Sequence, residues 1–392
     1  MNPLRIGVAG MGAAGIAFVP ALRKHPGFDW AAFAEPGDEM RRKCSDLHGV
    51  RGYASLTEML RHPGLDAVLV ATPTDLHARQ VLEATAAGKH VLVEKPMAVG
   101  LQDARVMVEA AERAGVTLMV GHSHSHDLPV RRMRELIASG ELGAVRMANT
   151  WCYSDWMHRP RRPAEFDVGQ GGGVTFRQGS HQFDVLRLLC GGRARSVRAR
   201  TFDWNPERRS IGAHSVWIDF EDGAAATAIY NGYGGFPISE LTGHISEWGF
   251  EEMPGTSAKR PPPASSPEEE LRAKQARAFT AIPGDAPFQP TFGLTLVSCE
   301  RGDIRQSPGG LLVYADGQRS EIILPTDRAP RELVLDEFHD AIRGTAPATH
   351  DGRWGLANLE ICLAAIASSE SGREVMLSEQ TATNFHDRRV QP

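Results

Sequence analysis

Cysteine is scarce in this chain, and the five present, Cys44, Cys152, Cys190, Cys299 and Cys362, are odd in number and form no CxxC pair. That argues against a disulfide framework and suits a reducing compartment. Long apolar runs are missing as well, none reaching the roughly 20 residues that a membrane span requires. The opening MNPLRIGVAG has no charged stretch leading into a long apolar core, so a cytoplasmic protein without a membrane partner is expected. Neither sign of charge dominates. The 43 lysines and arginines against 48 aspartates and glutamates leave a net charge of −5, which gives no electrostatic reason for a nucleic-acid partner. A small molecule is the expected ligand. No internal repeat is visible, and the one low-complexity stretch, KRPPPASSP, falls in a surface excursion over 251–290. It turns helical where Ser266, Pro267 and Glu269 form a capping box.

What the sequence does have is rhythm. Its 392 residues exceed the size at which one core stops growing, so two domains are expected. Through residue 122, short apolar runs (LRIGVA, WAAFAE, DAVLVA, HVLVE, VTLMVG) alternate with helical patterns, the βαβ sign of an α/β, doubly wound parallel sheet. After Gly121 the pattern changes: helical PVRRMRELIA leads into alternating segments such as RMANTWCY, SVRARTF and AHSVWIDFE. The expectation is an N-terminal Rossmann domain over 1–122. An α+β domain with a large, mainly antiparallel open sheet should fill 123–392, binding substrate and mediating oligomerisation.

The run Gly10-Met11-Gly12-Ala13-Ala14-Gly15 follows the first strand and opens a helix, and Glu35 ends the second strand twenty residues past Gly15. GxGxxG alone is a weak signal. With the strand before it, the helix after it and the acid in place, it predicts a dinucleotide whose pyrophosphate meets the helix N-terminus and whose ribose hydroxyls meet the carboxylate. Because Glu35 would repel a 2′-phosphate, NAD is favoured, while Arg41, Arg42 and Lys43 downstream keep NADP open. Two further turns end strands on the ligand side: ATPTDLH, with Thr72, Pro73 and His77, and VEKPMAVG, with Glu94, Lys95 and Pro96. The proline after Lys95 biases that lysine to extended backbone and fixes where its ammonium points.

GMGAAG, ATPTDLH and above all VLVEKPMA resemble the Gfo/Idh/MocA family of NAD(P)-dependent oxidoreductases, along nearly the whole chain. The resemblance implies that Lys95 sits beside the nicotinamide and the reacting hydroxyl, and that Lys95-Pro96 is a candidate cis peptide. It also makes GGGVTFRQGSHQFDVLRLLCGG the active-site helix, with His181 as the catalytic histidine. Family members commonly carry D-x-G-x-H there; in this chain the acid position is Arg177. Four residues apart on a helix, Arg177 and His181 should share a face. A cation disfavours imidazolium and so keeps His181 able to accept a proton. Arginine also grips carboxylates in bidentate fashion. The structural alternative is an ion pair with Asp184 or Glu165.

His158, Arg159, Arg161 and Arg162 precede that helix in WMHRPRRPAEF. With Arg177 they suggest a small anionic substrate, Arg159 and Arg177 touching it together with His181 and His124. The second-domain segments GQGGGVTFRQGSHQFD and LTLVSCERGDIRQSPGG resemble the family branch acting on phthalate cis-4,5-dihydrodiol. Oxidation of one carbinol of such a diol gives a ketone that tautomerises to an aromatic catechol. His122, His124 and His126 alternate in GHSHSHD and would share one face of a strand, as a metal site or as cleft lining; the resemblance implies chemistry without metal. Two other readings compete, a sugar, sugar-acid or inositol dehydrogenase and a non-catalytic nucleotide sensor. A homodimer or homotetramer is implied by the resemblance.

Overall fold

The computed structural model describes residues 2–253, 266–280 and 286–383. Contacts divide the chain into two compact units. The first comprises Met1–His122, Arg272–Ile282 and Arg331–Leu356, the second Ser123–Leu271, Pro283–Pro330 and Ala357–Pro392.

In the first unit, six strands, Leu4–Ala9 (β1), Phe28–Ala34 (β2), Arg51–Tyr53 (β3), Ala67–Val70 (β4), His90–Val93 (β5) and Leu118–Val120 (β6), form one sheet in the order β3-β2-β1-β4-β5-β6. Every pair in it is parallel. The short apolar runs are strands, as expected, and both their faces are covered: AVLV of β4 is buried throughout. Strand order reverses between β1 and β4, the crevice where open α/β sheets take ligands. One face packs around Ile6, Val8, Phe18, Phe33 and Leu69, and the helix Pro330–Arg343 returns to the same core with Val334, Leu335 and Phe338.

The second unit is built on nine strands: Val145–Tyr153 (β7), Ala194–Phe202 (β8), Ala213–Phe220 (β9), Ala225–Asn231 (β10), Leu294–Cys299 (β11), Gly302–Ser307 (β12), Gly310–Ala315 (β13), Gln318–Ile323 (β14) and Val375–Met376 (β15). Their order is β14-β13-β12-β11-β7-β10-β9-β8-β15. All neighbours are antiparallel except β10 and β7. Alternation is clean: Ala148, Thr150 and Cys152 of β7 and Val216, Ile218 and Phe220 of β9 point inward, while Met147, Trp151 and Trp217 stand on the other face, 53%, 38% and 45% exposed. The inner face carries the helix Ser180–Leu189, buried at every residue.

Two local expectations are corrected. GHSHSHD does not extend the sixth strand; Ser123–His126 is a turn of 3₁₀-helix leading into the helix Leu128–Ser139, so the three histidines have no shared strand face. The stretch around Arg177 does not open as regular α-helix either. Thr175–Gly179 is a π-turn, and α-helix resumes at Ser180, so Arg177 and His181 are not related by plain α-helical spacing. The expected helix start at Ser266 is present, with the Glu269 N–H donating to the Ser266 hydroxyl at 3.2 Å.

Candidate active site

In the first unit the predicted cofactor residues gather at the C-terminal ends of β1, β2, β4 and β5. Gly10 takes φ +93°, and a Cβ there would lie 2.8 Å from the Ala71 carbonyl oxygen, so the turn after β1 must be glycine to pass β4. Gly15 lets the helix Ala13–Lys24 lie on the turn, since a Cβ would fall 2.0 Å from the Gly10 carbonyl oxygen. At Gly12 a Cβ would meet nothing within 4 Å. That glycine caps the helix without a side-chain bond, so open space faces the amides of a helix N-terminus. Such a cradle fits a pyrophosphate. Glu35 is half-buried beside it, its carboxylate accepting the N–H groups of Met11 at 3.1 Å and Gly37 at 3.0 Å. Arg41, a candidate for a 2′-phosphate, gives its guanidinium to the carbonyls of Glu35 and Pro36 and to Asp38. Ala13 and Ala14 begin the helix itself.

The two further turns are tied together. His77 is 1% exposed, with Nε2 2.9 Å from the Thr72 carbonyl oxygen and Nδ1 3.0 Å from that of Pro96. It thus braces the turn after β4 against the turn after β5. The Thr72 hydroxyl donates to Gln80, and Pro73 caps the following helix. Glu94 is buried and accepts the Lys95 N–H at 3.2 Å, Lys95 is half-buried, and the Lys95–Pro96 peptide is cis.

The second unit holds the other expected residues in two adjoining groups. In the first, arginines converge on few acids. Glu165, 1% exposed, faces Arg161 and Arg177 at 3.5 Å each and Arg162 at 3.8 Å, and accepts the Arg162 N–H. Arg159 bonds Asp155 at 2.5 Å, and Arg208 pairs with Glu270 at 3.0 Å. Among the described contacts five guanidiniums meet these three carboxylates, and Glu247 acts on Arg159 as a further acid. Burial, the neighbouring cations Arg159 and Arg177, and only partial compensation by Glu165 bring Arg161 down to about 10. Its guanidinium lies over the Trp156 ring, 4.3 Å from the centroid. The sequence alternative for Arg177, a pair with Glu165, is therefore present, but as one share of an over-subscribed carboxylate.

The second group surrounds His181. His124 meets it edge to face at 4.6 Å between ring centroids, and Phe292 lies against both rings, at 4.4 Å and 5.0 Å. His124 Nδ1 is 3.0 Å from Asp127 and its Nε2 3.6 Å from Glu247. Burial opposes the imidazolium, yet these two carboxylates outweigh it and hold His124 up to about 9. Below the helix, His214 is its opposite: among the described residues no carboxylate acts on it, burial pushes it down to about 3, and it is held by Thr175 at 3.1 Å and Gln182 at 3.0 Å. The residue reading of the sequence missed Asp127, Glu247 and Phe292. Asp127 stood inside the quoted GHSHSHD; Glu247, in a loop with no local pattern, offered no signal.

Residues 4–122 match the oxidoreductase family with an NAD-binding Rossmann fold, and residues 130–234 match the GFO/IDH/MocA C-terminal domain. The chain belongs to the Gfo/Idh/MocA family. As a member it is an NAD-dependent dehydrogenase. It is 36% identical, over 92% of this chain and 94% of the relative, to the 1-carboxy-3-chloro-3,4-dihydroxycyclohexa-1,5-diene dehydrogenase of Comamonas testosteroni. A 1,5-anhydro-D-fructose reductase of Ensifer adhaerens is 39% identical over 76% of each chain. Among solved structures, one from Bordetella bronchiseptica RB50 superimposes with a TM-score of 0.89 at 37% identity, covering 96% of this chain and all of that one. Among the described residues of this Gfo/Idh/MocA protein no helix is long and apolar enough to cross a membrane.

Proposed function

We propose that this dehydrogenase oxidises a cyclic cis-diol that carries carboxylate groups, and that phthalate 4,5-cis-dihydrodiol, giving 4,5-dihydroxyphthalate, is its substrate. The observation that carries the reading is the convergence of three guanidiniums, those of Arg161, Arg162 and Arg177, on the one carboxylate of Glu165. Guanidiniums gathered in a half-buried place suit an anion, and an ortho-dicarboxylate supplies two negative charges at one edge of a ring. The Comamonas relative, whose name specifies a carboxylated cyclohexadiene diol, supports the same substrate class.

Bound NAD supplies the hydride acceptor. For its part the chain binds with the glycine turn and Glu35, and deals with the hydroxyl proton. His181 takes that proton and Lys95 stabilises the alkoxide as it forms, the cationic half of an acid–base pair. Arg177 and Arg159 hold the carboxylates, and burial of the cluster strengthens the grip. A pairing of the exposed sheet face around Met147, Trp151 and Trp217 would make the homo-oligomer.

The Ensifer relative favours a second reading, a neutral polyol substrate. Reduction of NAD is followed with phthalate dihydrodiol, a matched dihydrodiol without carboxylates, sugar acids and inositols, in wild type and Arg177→Ala. The carboxylated diol should be the best substrate, and Arg177→Ala should lower its kcat/KM by roughly 30-fold or more while scarcely changing the neutral diol. Equal losses on both diols would remove the carboxylate grip, a preference for inositol would install the polyol reading, and no turnover of any compound would favour a nucleotide sensor.

A further inference from the structure

His124 lies 8% exposed between two acids that reach it from different parts of the second unit. Asp127, 1% exposed, comes from the same turn and approaches Nδ1; Glu247 comes from the loop before residue 250 and approaches Nε2. A neutral imidazole has one N–H and one bare lone pair. Burial raises the Asp127 carboxyl, and His124 beside it works against that rise. With both acids ionised, a carboxylate oxygen stands at each nitrogen, the bare lone pair of a neutral ring would face negative charge, and the geometry fits the doubly protonated ring. The His181 ring stands edge-on to it at 4.6 Å, and Phe292 covers both, keeping water from screening them. Two imidazoliums at that distance in a dry setting repel strongly. One of the pair carries the charge, and the acids decide which.

We propose that Asp127 and Glu247 hold His124 as a standing cation, and that this cation keeps His181 uncharged at neutral pH. His124, Asp127 and Glu247 are then positioning residues: they act through His181, and their link to catalysis rests on the reading of His181 as proton acceptor. Other charged and titratable groups bear on the site. His126, in the same turn, acts on Asp127; Arg159 and Tyr230, the latter kept un-ionised chiefly by burial, act on or feel Glu247. Among the described residues, the polar groups that line the small cavity beside His124 and Asp127 are otherwise the neutral Thr150, Gln182, Thr295 and Gln306. The direction of the His124 shift, upward against burial, agrees with the geometry.

The test reads the imidazoles directly, by ¹⁵N-histidine NMR of the full-length protein without substrate, the two rings being assigned from His124→Gln and His181→Gln. In wild type at pH 7.5, His124 should have both ring nitrogens protonated and His181 only one. Glu247→Gln, conservative and partly exposed, should lower the His124 midpoint by about one pH unit or more, and His124→Gln should raise the His181 midpoint by a similar amount. Asp127→Asn should act like Glu247→Gln and more strongly, provided it folds. The acid limb of kcat/KM against pH should move upward in His124→Gln along with the His181 midpoint, while the plateau changes less. A singly protonated His124 at pH 7.5 in wild type, or an unmoved His181 midpoint in His124→Gln, overturns the proposal. Since the imidazole titrations need no turnover, they decide it even if His181→Ala proved fully active, a result that would overturn only the proton-acceptor role.

Discussion

The two units of this molecule gather their chemistry in different material. After β1 the cofactor cradle of the first unit is backbone: a glycine turn and the amides of a helix N-terminus, with Glu35 beside them, itself held by two N–H groups. In the second unit the site is side chain, with arginines, acids and histidines brought from distant segments. A backbone site is ruled by space, because its partial charges are fixed by the fold. A side-chain site is ruled by charge, and so by pH and by the presence of every partner. The first should be intolerant of a methyl group and indifferent to pH; the second should be the reverse.

The sharpest break with that contrast would come from Gly15→Ala. Its methyl would fall 2.0 Å from the Gly10 carbonyl oxygen, so the helix must leave the turn. We expect NAD affinity to fall by about 100-fold or more, with destabilisation on the order of 3 kcal/mol, as for overpacking against backbone. Gly12→Ala, into open space, should leave the melting temperature nearly unchanged and raise only the KM for NAD. Calorimetry and kinetics on both variants would show whether space governs this cradle.

Next in size is Glu165→Gln. The side chain barely changes shape, but three guanidiniums lose the acid they share, and breaking a buried pair costs about 3 kcal/mol. Denaturant unfolding should show that loss. A wild-type melting curve from the variant would mean the arginines do not depend on that charge.

His214 tests the pH half of the contrast. Its value in the folded protein, about 3, lies below that of the unfolded chain, 6.5, so the unfolded chain takes up the proton first. Stability from this residue is whole above pH 6.5 and drains away as pH falls from there toward 3. By pH 5 the loss is on the order of 2 kcal/mol. The difference in unfolding free energy between wild type and His214→Gln, followed from pH 7 to pH 5, should shift by that amount. A constant difference would show that burial does not hold His214 neutral.

The smallest effect concerns the acid beside the backbone cradle. Glu35 should favour NAD over NADP by at least tenfold in kcat/KM, about 1.4 kcal/mol. With Arg41 occupied by Asp38 and two carbonyls, Glu35→Ser should narrow that preference without reversing it. Equal use of both cofactors by wild type would place Arg42 or Lys43 in the pocket.

Legibility follows the same division. The glycine turn, Glu35 and the EKP turn are contiguous or fixed in spacing, because a backbone site needs its residues in one run, and the parallel rhythm around them is local. The second unit's sheet was legible from alternation. The charge on His124 was not, since it depends on Glu247, more than a hundred residues away and in no pattern. Nor does the stripe Val334, Leu335 and Phe338 say which core it enters; any apolar core would bury it equally well, and only the tertiary structure returns it to the first unit. The turns that misread, Ser123–His126 and Thr175–Gly179, are short and take their shape from what they connect.

The π-turn carries a consequence for alignment. In an α-helix each turn closes on the fourth residue; at Thr175–Gly179 it closes on the fifth, so this stretch stores one residue more than its length along the axis requires. A substitution there changes a side chain and keeps the count, whereas a deletion removes the surplus. A homologue one residue shorter at this place would present a different position at the same point in space. Matching Arg177 to another chain's acid by counting back from the histidine then compares residues that do not stand in the same place, and a gap penalty hides the difference.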